Sequence, residues 1–101
     1  MRSKNSKPFT AAESAHIEAV KWLPCSVCDA PAPSDAPAPS DAHHIKQGQH
    51  FTVVALCKDC HQGSANGLHG RRVMWAVMKM DELDALAVTL ARLNGQGRVA
   101  A

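Results

Sequence analysis

Two Cys-x-x-Cys pairs, Cys25/Cys28 and Cys57/Cys60, constrain this chain more than any other feature. Together they supply four thiolates, the number that fills the tetrahedral shell of one structural Zn²⁺ ion, with 28 residues between Cys28 and Cys57 for the ion to close over. Such a staple is needed. A chain of 101 residues forms a single domain, 1–101, and buries only about 60–65% of the surface that its unfolded form exposes. Tyr is absent, and Phe (Phe9, Phe51) and Trp (Trp22, Trp75) occur twice each, so the core must come mostly from Ala, Val and Leu. Zinc held by four thiolates contributes on the order of 10 kcal/mol or more to folding, enough to offset so thin a core. A redox dithiol is the competing reading, but a thioredoxin-like site has one such motif in a βαβ setting. No apolar run approaches the roughly 18 residues of a membrane span, and MRSKNSKPFTAAES lacks a signal peptide's apolar stretch. A cytoplasmic protein is therefore expected, where thiols stay reduced and bind metal.

Residues 1–9 read as a flexible arm, basic through Arg2, Lys4 and Lys7. Thr10 and Glu13 have the spacing of a capping box, so a first helix is expected from about Ala11 to Leu23, stopped by Pro24. His16 reads as a surface or packing residue of that helix. After the first cysteine pair, Ala30-Pro31-Ala32-Pro33-Ser34-Asp35 is repeated as Ala36-Pro37-Ala38-Pro39-Ser40-Asp41. Alternating Ala-Pro favours extended polyproline II and removes backbone donors, so 30–41 is expected to be a stiff surface loop. Ala42-His43-His44-Ile45 and Phe51–Leu56 then read as the two strands of a hairpin. A short helix should open at Cys57 and break in Gly63-Ser64-Ala65-Asn66-Gly67. Two more helices are expected, Arg71 to Met80 and Asp81 to Leu93, the second capped by Asp81 and ended by Asn94-Gly95. Their apolar stripes, Val73/Met74/Val77/Met78 beside Trp75 and Leu83/Leu86/Leu90/Leu93, read as core. The leucine face packs on the protein's own core or on a second copy; the pattern allows both. The fold class is thus α+β, a small zinc-stapled strand-strand-helix core with an N-terminal helix and C-terminal helices.

With the cysteines committed to zinc, the histidines are left for chemistry. Neighbouring residues on a strand point to opposite faces, so one of His43 and His44 can bind a cation while the other meets water. His61, opening the short helix, faces back across the hairpin, and His69 in Gly67-Leu68-His69-Gly70 is the candidate third ligand. On one straight helix, His61 and His69 would be separated by about 12 Å of rise, too far to share an ion. Gly63 and Gly67 let the chain double back. The formal charge is only +2, but Ala42 to Met80 carries Lys46, Lys58, Arg71, Arg72 and Lys79 against Asp59 alone. Lys46, Lys58, Arg71 and Arg72 are the expected contacts to phosphate.

This arrangement resembles the HNH, or ββα-metal, endonuclease superfamily, whose knuckled form runs Cys-x-x-Cys, Asp/His-His-Ile, Asn-Leu-x-x-Leu-Cys-x-x-Cys-His. The matching residues are Cys25/Cys28, His43-His44-Ile45 and Thr52 through His61. Within that superfamily, the His-His start, Gly48-Gln49-His50-Phe51 and Leu68-His69-Gly70 look like the phage recombination-enhancement nucleases of the RecA-dependent Ref type. The resemblance implies a phage- or prophage-encoded nuclease acting on DNA in the bacterial cytoplasm, with a RecA filament as a candidate partner. It also implies that His44 is the general base and that His43 and His61, with His69 as the candidate third, hold a catalytic cation, Mg²⁺, Mn²⁺ or Zn²⁺. A neutral imidazole takes a proton from water, the hydroxide attacks phosphorus, and 5′-phosphate and 3′-hydroxyl ends result. Thr52 stands where the superfamily has the Asn that ties the hairpin loop, and Gln49 or His50 is the candidate substitute; His50 is also an alternative ligand. Two readings compete with the enzyme: a catalytically silent zinc module that binds DNA or a recombination protein, and a structural protein that recruits a partner through its proline repeat.

Overall fold

The computed structural model describes residues 9–30 and 40–95, within which the chain is α+β: two antiparallel strands and four helices. Helix α1 spans Ala11–Lys21, and its start is fixed by a complete capping box: Thr10 Oγ1 accepts from the Glu13 amide at 3.1 Å and the Glu13 carboxylate accepts from the Thr10 amide at 2.8 Å. It ends at Lys21, two residues before the expected Leu23, because Trp22 already leaves helical geometry. Strand β1 is Asp41–His44 and β2 is Val53–Leu56, paired with Asp41 opposite Leu56 and His44 opposite Val53. Helix α2 (Lys58–Gln62) follows β2 directly. Phe51, expected in the second strand, lies outside it and is half-exposed.

Every residue of β2 is buried while those of β1 are half-buried, so β2 is the inner strand of the hairpin. Its alternating side chains serve two clusters. Val53 and Ala55 pack with Ile17 and Val20 of α1, and Val54 and Leu56 with Cys25, Val27, Cys60, Leu68, Trp75 and Ala85. Helix α3 (Val73–Met78) is shorter than the expected 71–80, since Arg72 and Lys79 sit in left-handed geometry at its two ends. Its buried residue is Trp75, 2% exposed, whose indole donates to the Cys60 carbonyl at 3.0 Å. Val73, Val77 and Met78 are exposed, Val77 to 66%. Three residues of the stripe expected to be core are therefore turned outward, Met74 packs at the edge of the core, and one aromatic anchors the helix.

Helix α4 (Glu82–Leu93) starts on the expected Asp81 cap, with Asp84 completing a capping box. Here too the buried face differs from the leucine stripe. Ala85 and Thr89 are buried, Leu86 and Leu93 half-buried, and Leu83 is 68% exposed. Small residues let α4 approach the hairpin closely. Thr89 Oγ1 takes the Ala55 amide at 3.3 Å, donates to the Ala85 carbonyl at 3.0 Å and meets Ser26 Oγ at 2.7 Å. It thereby ties helix, strand and first cysteine loop together. Replacing Thr89 by Val keeps the shape but removes this shared group, and should lower stability by about 1–3 kcal/mol in a chemical denaturation series. Arg92, one turn on, donates to the Pro24 and Cys25 carbonyls at 3.3 and 3.2 Å and to the Asp29 carboxylate.

The expected loop is shorter than 30–41. Ser40 is buried, its hydroxyl donating to the Leu23 carbonyl at 2.8 Å, and Asp41 opens β1. Positions 31–39 of the repeat and 1–8 of the expected arm lie outside the described residues. Phe9, the last residue assigned to that arm, packs on His50 with ring centres 4.4 Å apart. Among the described residues, no helix is long and apolar enough to cross a membrane.

Candidate metal centre

The four cysteines converge. Cys25 and Cys28 sit on a tight loop in which the Cys25 amide donates to the Ala30 carbonyl at 2.9 Å and the Asp29 amide to the Cys25 carbonyl at 3.0 Å. Asp29 takes the left-handed conformation, φ 63°, that lets this loop close. Cys57 is the N-cap of α2, its sulfur accepting from the Cys60 amide at 3.4 Å. All four Sγ atoms lie within 4.8 Å of one another, with Cys28 and Cys57 at 3.7 Å, and all four thiols are free. Zn–S bonds of about 2.3 Å set the sulfurs of a tetrahedron about 3.8 Å apart, so the donor set fits zinc. The electrostatics point the same way. Burial, reinforced by charge on Cys25, pushes the Cys57 thiol up to about 11, and burial with the neighbouring thiolates raises Cys60 further. Burial also raises Cys25, but amide donors from Cys28, Cys57 and Val27 outweigh it and hold that thiol below its ordinary value. Four sulfurs so close cannot all ionise unless a cation neutralises them.

A second cluster lies beside the first. His43 of β1, His61 of α2 and His69 of the following turn offer ring nitrogens within 4.8 Å of one another. Their ring centres are 5.1 Å (His43 to His61), 5.3 Å (His61 to His69) and 5.8 Å (His43 to His69) apart. An ion with bonds of about 2.0–2.2 Å draws its nitrogens to about 3–4 Å separation, so the rings close on it by modest rotation. Cys60 and His61 are consecutive on α2, about 100° apart around its axis. One helix thus serves both clusters.

His69 reaches the cluster because the chain reverses after α2. Gly63 ends the helix, its amide bonding the Asp59 carbonyl, and Gly67, Leu68 and His69 donate back to Gly63, Cys60 and His61 at 2.9, 2.9 and 3.4 Å. The turn is so close that a Cβ at Gly67 would stand 2.3 Å from the Gly63 carbonyl oxygen. Gly67→Ala should therefore cost about 1–3 kcal/mol in thermal denaturation, and it should weaken cation binding at the histidines by displacing His69.

His44 points elsewhere. Its Nε2 shares a hydrogen bond with His50 Nδ1 at 3.2 Å, and it lines a groove of about 460 Å³ with His61, Asp41, Lys58, Lys21 and Phe9. Burial, then charge on His50 and His43, holds the His44 imidazole below its ordinary pKa, which keeps it neutral. His50 lies with His44 and Phe9 rather than in the three-histidine cluster. Thr52 Oγ1 donates within the hairpin loop, toward the Gln49 carbonyl (3.2 Å) or its side-chain oxygen (3.3 Å). His16 is a packing residue, its Nε2 donating to the Phe51 carbonyl at 3.1 Å.

Of the basic residues expected at phosphate, Lys46 and Arg71 are exposed. Lys58 is exposed but paired with Asp41. Arg72 Nε donates to the Leu68 carbonyl at 2.9 Å, so it also braces the turn that carries His69. Two carboxylates at the site escape the sequence reading. Asp41 Oδ2 lies 2.8 Å from His61 Nδ1, and Glu82 Oε2 lies 2.9 Å from His43 Nε2. Asp41 had a usable signal, since it stands two residues before His43 and so on the same strand face. No family model, curated protein or solved structure compared with the chain matches it.

Proposed function

We propose that this chain is a metal-dependent DNA endonuclease of the HNH type, in which the hairpin β1–β2 and helix α2 form the ββα-metal unit. The observation that carries the reading is the division of labour at β1: His43 joins a three-histidine cluster while adjacent His44, kept neutral, faces a groove that His61 also lines. Hydrolysis of a phosphodiester needs both parts. His44 donates its Nε2 hydrogen to His50 Nδ1 and takes a proton from a groove water on its own Nδ1, and the hydroxide attacks phosphorus as the bond to the leaving oxygen breaks. A divalent cation on His43, His61 and His69 would act as a Lewis acid toward the charge that develops on the leaving oxygen. Arg71 and Lys46 hold neighbouring phosphates. Three imidazoles suit Mn²⁺ or Zn²⁺ better than the oxygen-seeking Mg²⁺. The phage recombination-enhancement family is the proposed home of the chain, with a RecA filament as the proposed partner.

The test is conversion of supercoiled plasmid by zinc-loaded protein with added Mn²⁺, Zn²⁺ or Mg²⁺, with and without RecA filaments. Cation-dependent nicking that leaves 5′-phosphate ends is the expected result, and a requirement for RecA would support the recombination-enhancement assignment. A folded, zinc-loaded protein that binds DNA but cuts under none of these conditions would replace this reading with the silent zinc module.

A further inference from the structure

Two of the three clustered histidines are each held by a carboxylate, and the two bonds engage different ring nitrogens. His43 meets Glu82 through Nε2 at 2.9 Å, and His61 meets Asp41 through Nδ1 at 2.8 Å. An ionised carboxylate only accepts, so each ring must place its hydrogen on the engaged nitrogen. The neutral imidazole then has its lone pair on the other one: Nδ1 for His43, Nε2 for His61. Both side chains are mostly shielded from solvent, at 11% and 14% exposure, so water competes little for the same nitrogens.

The two carboxylates are themselves well placed. Asp41 is on β1 and its other oxygen takes the Lys58 ammonium, so one side chain locks strand β1 to helix α2. Glu82 is the first residue of α4, which ties the cluster to the helix packed on the hairpin. Among the described residues, no ion pair reaches His69.

We propose that Asp41 and Glu82 are positioning residues that fix opposite tautomers in the cluster, so that His43 presents Nδ1 and His61 presents Nε2 to a common cation. The inference rests on reading His43, His61 and His69 as one cation site, and it does not depend on whether that site cuts DNA. Carboxylate partners of this kind fix ring orientation and make the free nitrogen more basic.

The experiment uses full-length protein with zinc on the cysteines and ¹⁵N-labelled histidine. Long-range ¹H–¹⁵N correlation at neutral pH, before the second metal is added, should show hydrogen on Nε2 of His43 and on Nδ1 of His61. Glu82→Ala should release the His43 tautomer and leave that of His61 in place, and Asp41→Asn should do the reverse. A general loss of structure would move both together. Co²⁺ added alone should bind each variant about 10–100-fold more weakly than the parent protein. The proposal is overturned by the opposite tautomer or double protonation of either ring in the parent protein. It is equally overturned if Co²⁺ affinity is unchanged in both variants, or if the parent protein binds no Co²⁺ through these histidines. Tight Co²⁺ binding with the stated tautomers and no DNA cleavage would uphold it while removing the nuclease reading.

Discussion

Removing zinc from the four-cysteine cluster, by a strong chelator or by Cys60→Ser, should unfold the chain. Two terms decide this. The domains of this size that fold unaided have stabilities of roughly 5–15 kcal/mol, and a structural zinc supplies on the order of 10 kcal/mol or more. Here the cysteines are also part of the core: Cys25 and Cys60 are fully buried and pack with Val27, Val54, Leu56, Leu68 and Trp75. Without the ion, four crowded sulfurs must remain protonated or repel one another, and Cys57, pushed up to about 11, resists ionising. The loss should appear in circular dichroism as disappearance of the cooperative thermal transition, and added Zn²⁺ should restore it for the chelated parent chain but not for Cys60→Ser. A metal-free chain that still melts cooperatively would sink the staple.

His44→Ala should slow plasmid cleavage by about 10²–10⁴-fold, the range of one positioned general base. DNA affinity should change little, because the phosphate contacts are assigned to Arg71 and Lys46 instead. Zinc content and melting temperature should be unchanged as well, since His44 is only half-buried and, among the described residues, its side chain hydrogen-bonds His50 alone. Gel-shift and cleavage assays on the same preparation separate the outcomes. Equal cleavage by parent and variant would contradict the role assigned to His44.

The features legible in the sequence are those set by local chemistry. The cysteine spacing, the Thr10/Glu13 capping box, the Asp81 cap and the reversal at Gly63 and Gly67 all depend on residues a few positions apart. Where packing decides, local pattern does not suffice. Ser40-Asp41 closes a Pro/Ala repeat whose composition suggests a surface loop, yet Ser40 is buried against the end of α1 and Asp41 bonds His61. The leucines of α4 outrank Ala85 and Thr89 in hydrophobicity, but only the small residues allow close approach to β2, and Thr89 is tolerated because its hydroxyl has three partners. In α3 the large indole of Trp75 outweighs four smaller apolar side chains and turns them toward solvent or the edge of the core. Glu82 reads as an ordinary acid in a helix's first turn, and its partner His43 is 39 positions away.

The proposed chemistry requires a cation at the histidines that is distinct from any metal held by the cysteines. The most direct measurement is plasmid cleavage by zinc-loaded protein as Mn²⁺ is titrated in, with bound Mn²⁺ counted on the same samples. The rate should rise in step with the filling of one site per chain, and both should vanish when His43 and His61 are replaced by Ala. Cleavage that is indifferent to Mn²⁺, or full Mn²⁺ occupancy without cleavage, would contradict the account.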